Sequence, residues 1–136
     1  MTTTNDFEQR VEAIETGYEF MLAYAAQGRE TDKGAAAGRN VREYLDKMVA
    51  ALDGLAPVIA ARARALDPKL LKSGAAFFAA VEADALIALA AIRLVLAREV
   101  VSSQLVDNLN ASIHLRALLT DRFVVDEALK PPKKRP

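Results

Sequence analysis

The chain has 136 residues and a mass of 14.7 kDa, enough for one domain with a self-sufficient core. It contains no cysteine, which removes disulfides, thiolate metal sites and cysteine nucleophiles together. Eighteen basic residues balance eighteen acidic ones, and a pI near 6.6 argues against a dedicated nucleic-acid binder.

Alanine (27) and leucine (17) outnumber valine plus isoleucine (16), a bias toward helix over sheet. The N-terminus lacks the basic and apolar regions of a signal peptide. Asn5 and Glu8 have capping-box spacing and predict a first helix from near Asp6. Phe7, Val11, Ile14, Tyr18, Met21, Leu22 and Ala25 form its apolar stripe, and Gly28 is placed to end it. Phe20 and Tyr24 lie off that stripe and suggest a second contact patch. Residues 28–39 read as a glycine-punctuated loop.

A second helix is expected from Val41, with Asn40 and Glu43 repeating the capping-box spacing. Its stripe is Val41, Tyr44, Leu45, Met48, Leu52, Leu55 and Ile59, interrupted by Gly54 and Pro57, with a kink or restart expected at Pro57. Asp67-Pro68 marks the clearest boundary, followed by one long third helix to about Arg98. Ser102 and Ser103 introduce a fourth helix to about Leu119, and a short last helix follows Thr120-Asp121. These lengths predict an all-α, antiparallel four-helix bundle over residues 1–129. Residues 130–136 (KPPKKRP) form a basic, proline-rich tail that is expected to be disordered.

The third helix is apolar on nearly every face. One seam runs Ala76, Ala80, Ala83, Ile87, Ala90, Leu94, Ala97, in alternating steps of four and three. A small bundle cannot easily surround such a helix, so the seam predicts a homodimer interface that buries the same patch on both chains. The longest uncharged apolar run, residues 85–92, is short beside the roughly 20 residues of a membrane span. A soluble, cytoplasmic protein with no membrane span is the expectation.

Candidate chemistry is sparse. Glu82 and Asp84 interrupt the apolar third helix, with Arg93 and Arg98 as partners and Phe77, Phe78 and Tyr18 as aromatic neighbours. Buried carboxylates there would carry a desolvation cost and a raised pKa suited to ligand or metal binding, but plain structural pairing is the simpler reading. Glu8, Glu12, Glu15 and Glu19 form an acidic ladder on the first helix, read as a solvated face. His114 is the one histidine, placed on a polar edge with Asp107, Asn110 and Asp121. No Glu-x-x-His pair accompanies it, since Ala111 stands three residues before, so no metal or cofactor is expected. Arg39, Arg42 and Lys33 flank a helix start and make a candidate anion site, although the P-loop pattern is absent.

Three functional expectations follow. The first is a non-enzymatic bundle acting through self-association and contact with a protein partner of unknown identity, as an adaptor, chaperone-like protein or accessory subunit. The second is a small-ligand or metal-binding bundle using Glu82, Asp84 and Arg93, with enzymatic activity as its extension. The third is an anion-binding regulatory module at the loop before the second helix.

Overall fold

The computed structural model of the chain describes residues 3–34 and 36–131, apart from the side chains of residues 3–5 and 36–40. The protein is all-α, with seven helices and no strand among the described residues. They are α1 (Thr3–Ala26), α2 (Ala36–Leu52), α3 (Leu55–Leu66), α4 (Lys69–Ser73), α5 (Ala75–Leu96), α6 (Ser103–Asn110) and α7 (Ile113–Ala128). The long helices α1 and α5 organise the rest: α1 packs against α2, α3 and α6, and α5 against α2, α3 and α7.

Helix α1 buries Phe7, Val11, Ile14 and Met21 as the stripe requires, whereas Leu22 falls outside it and is exposed. At Gly17 the α1 backbone approaches α2 so closely that an added Cβ would overlap Cγ and Sδ of Met48. Gly28 ends α1 at φ +64°, a conformation in which a side chain would be strained. The helix extends back to Thr3, so the backbone of Asn5 stands inside it and its side chain lies outside the described residues. Likewise α2 begins at Ala36, ahead of the Asn40 expected to cap it.

The break between α2 and α3 belongs to Gly54, at φ +88°, more than to Pro57. Pro57 is the third residue of α3, in a turn whose N–H groups have no carbonyl to bond, so it costs the helix little. Arg10 reaches across from α1 to satisfy the freed carbonyls. Its Nη1 donates to the carbonyls of Ala50, Ala51 and Asp53 at 3.2, 3.0 and 2.7 Å, while Nε donates to Asp6 at 2.9 Å.

Two sequence-based boundaries need correction. The long third helix is divided at Gly74 into α4 and α5, where a Cβ would crowd the Phe78 ring and the Leu70 carbonyl. The fourth helix stops at Asn110 and restarts at Ile113, then continues without interruption to Ala128. Thr120 causes no break because its hydroxyl donates to the Arg116 carbonyl at 3.0 Å within the helix. The Ser102 cap holds as read: its hydroxyl accepts from the Leu105 N–H at 3.0 Å. The tail from residue 132 onward lies outside the described residues.

Candidate functional site

Helix α5 turns Val81, Ala85, Ala88, Leu89, Ile92 and Val95 inward. The opposite side is occupied by the seam Ala76, Ala80, Ala83, Ile87, Ala90, Leu94 and Ala97, every member of which is exposed. Leu86, Ile87 and Leu94 are 55 %, 44 % and 70 % exposed, large apolar groups left facing water on a single rigid element. Only Glu82 and Arg93 bring charge to this face, and neither makes an ion pair among the described residues.

The 22 residues of α5 are long and apolar enough, by length and composition, to cross a membrane, and only 28 % of the most apolar stretch is buried within the protein. The expectation of no membrane span therefore has no support from the composition of this helix. Counting uncharged runs stopped the tally at Arg93, whereas a span tolerates one or two charges.

The residues proposed as a small-molecule site do not converge. Glu82 and Arg93 lie on the outer face of α5, while Asp84 turns toward α7. Tyr18 lines a solvent-open cleft with Glu15, Glu19, Arg116 and Arg122. Phe77 and Phe78 line a separate apolar groove with Leu70, Val124 and Leu129 at the far end of α7. A helix turns about 100° per residue, so neighbouring positions such as 82 and 84 serve opposite surroundings. The narrow apolar cleft against Phe7, Val11, Leu55 and Val81 has a volume of about 20 Å³, the room of a single water.

A polar junction that the sequence did not reveal joins α5 to α7. Nδ1 of His114 and Oδ1 of Asp84 are 3.0 Å apart. Burial pushes the Asp121 carboxyl above its ordinary value, and a hydrogen bond to Asp84 and the charge of Asp84 push it further. Asn110 is instead buried, with both side-chain amide atoms unpartnered. No group of three potential metal ligands forms among the described residues. The acidic ladder of α1 is mostly exposed, with Glu15 drawn onto Arg122 of α7 at 2.6 Å.

The candidate anion site is occupied from within. Arg42 places Nε 2.6 Å from Asp32 and donates through its other nitrogens to the carbonyls of Leu96, Arg98 and Glu99, capping the end of α5. Asp32 also accepts from the Val101 N–H at 2.8 Å. Burial by itself would raise the Asp32 pKa, but the hydrogen bonds from Arg42 and Val101 outweigh it and hold the carboxyl below its ordinary value. Lys33 pairs with exposed Glu99 at 3.4 Å, and the Arg39 side chain lies outside the described residues. A buried carboxylate at the centre of this cluster repels the anion that the arginines were expected to attract.

The same region absorbs the aromatic patch. The buried Tyr24 hydroxyl donates to the Val101 carbonyl at 2.6 Å, and Phe20 stacks on Tyr44 of α2 with ring centroids 4.4 Å apart. Ser103 completes the knot by donating to the Tyr24 carbonyl and accepting from the Arg29 N–H. The loop between α1 and α2 is therefore tied to the α5–α6 turn through Arg29 and Asp32.

No protein-family model, curated protein or solved structure matches the chain.

Proposed function

We propose that the protein acts through contact: it associates with a second copy of itself along the outer face of α5 and serves as a non-enzymatic adaptor or accessory subunit. The observation that carries this reading is the exposure of Ile87 and Leu94 in line with five exposed alanines, with Leu86 exposed beside them. An apolar surface of that kind on a rigid helix marks an interaction face. The alanines allow two helix axes to approach closely, and a second copy covers both faces at once under two-fold symmetry. Within each copy, the finer architecture we favour is an antiparallel four-rod bundle. In it, α2 with α3 and α6 with α7 each serve as one bent rod beside α1 and α5.

The dispersal of Glu82, Asp84, Arg93, Tyr18, Phe77 and Phe78 gives the ligand-binding alternative little support, and the Asp32–Arg42 pair removes it from the anion-binding one. Light scattering coupled to size exclusion tests the proposal. A dimer is expected, converted to monomer by Ala83→Glu with helical content retained. A wild-type chain that stays monomeric at high concentration overturns the proposal.

A further inference from the structure

We infer that the second copy lies antiparallel, with two α5 helices crossing at a two-fold axis beside Leu86 and Ile87, and with Glu82 of each protomer meeting the partner's Arg93. This inference rests on the self-association proposed above and adds its direction and register. Glu82 and Arg93 are eleven residues apart, which is about 20° beyond three full turns and about 16 Å along the axis. Both therefore sit on the same edge of the exposed face. When two helices pair antiparallel about a two-fold axis, that edge meets itself, and the acid at one end falls opposite the base from the other. A parallel pair would set Glu82 level with Glu82 and Arg93 level with Arg93.

The apolar seam gives the same centre independently. Its ends, Ala76 and Ala97, have their midpoint between Leu86 and Ile87, and the midpoint of Glu82 and Arg93 lies one residue further on. One residue is about 1.5 Å of rise, well within the reach of these side chains. In this register Ile87 meets Ile87, the bulky Leu94 falls opposite the small Ala80, and Ala83 lies against Ala90 and Ala91. Large groups thus fill the space that the alanines leave. Leu86, on the charged edge, fills the gap between the two reciprocal ion pairs. A lipid surface explains the pattern less well. The charges would then face hydrocarbon, where each costs about 2.5–3.5 kcal/mol at mid-membrane.

The absence of natural cysteine makes the register directly readable. Chains carrying Ala80→Cys or Leu94→Cys are oxidised alone and mixed. In the antiparallel register the mixture forms a cross-linked heterodimer, and neither variant cross-links to itself. Charge reversals supply the second measurement. Glu82→Arg and Arg93→Glu are each expected to weaken dimerisation about tenfold by turning two attractive contacts repulsive, and the double reversal to return it near the wild-type value. Both positions are exposed, and circular dichroism confirms that the folded chain is being compared. Self-cross-linking of the single cysteine variants in a dimeric protein overturns the antiparallel register while leaving self-association standing. A wild-type monomer overturns both, and one that binds phosphatidylcholine–phosphatidylglycerol vesicles through α5 assigns the face to lipid instead.

Discussion

Arg42 of α2 and Asp32 of the preceding loop form an ion pair at 2.6 Å in which the carboxylate is almost wholly buried. Through it, the start of α2, the end of α5 and the Val101 turn are joined at one point. Such a pair is costly to break from one side, because the remaining charge stays desolvated.

Asp32→Asn is expected to lower stability at pH 7 by about 2 kcal/mol in urea denaturation. The folded pKa of Asp32 lies below its unfolded value, so its contribution is fully present above the unfolded pKa and is lost as pH falls through the folded one. The difference between wild type and variant should therefore shrink below about pH 4. A difference that persists unchanged at pH 2 counts against the charge-based account.

Asp121 has the opposite sign. Its folded pKa is raised, so the protonated carboxyl suits the folded protein, and the repulsion from Asp84 grows as pH rises through the folded value. Asp121→Asn is expected to stabilise the protein at pH 7 by roughly 0.5 kcal/mol, with the gain disappearing in acid. Thermal melts at pH 4 and pH 7 check both the sign and the trend.

Tyr24→Phe removes the hydroxyl that satisfies the Val101 carbonyl and leaves the ring in its packed position. A loss of about 1–2 kcal/mol is expected for the orphaned acceptor. Hydrogen exchange should show the α5–α6 turn opening more readily, while the oligomeric state is unchanged.

Leu94→Ser separates folding from association. Leu94 is 70 % exposed, so the stability of an isolated chain should move by no more than about 0.5 kcal/mol. Dimer dissociation, followed by sedimentation equilibrium, should weaken markedly, because the substitution leaves Ala80 of the second copy facing a void. Equal loss of folding and association would place Leu94 in the core instead.

Much of the fold was legible without coordinates. The stripe of α1, the left-handed Gly28, the Ser102 cap and the apolar character of α5 are local properties. Each is set by residues within one or two turns of one another. The helix breaks at Gly74 and Asn110 were not legible. Gly74 is explained by a Phe78 ring folded back on it, and Thr120 passes without a break because its hydroxyl bonds its own helix.

The sequence by itself determined that this is a helical protein, free of cysteine chemistry, with one helix carrying more apolar surface than a small interior can cover. Only the tertiary structure decided which side of that helix meets water, that Asp84 serves His114 while Glu82 faces outward, and that Arg42 is held by Asp32. The physical reason is range. Helical periodicity arises between residues three and four apart, whereas Val101 meets Asp32 across 69 positions and His114 meets Asp84 across 30. Pairings at such distances are chosen by how whole helices pack, and no local spacing encodes them.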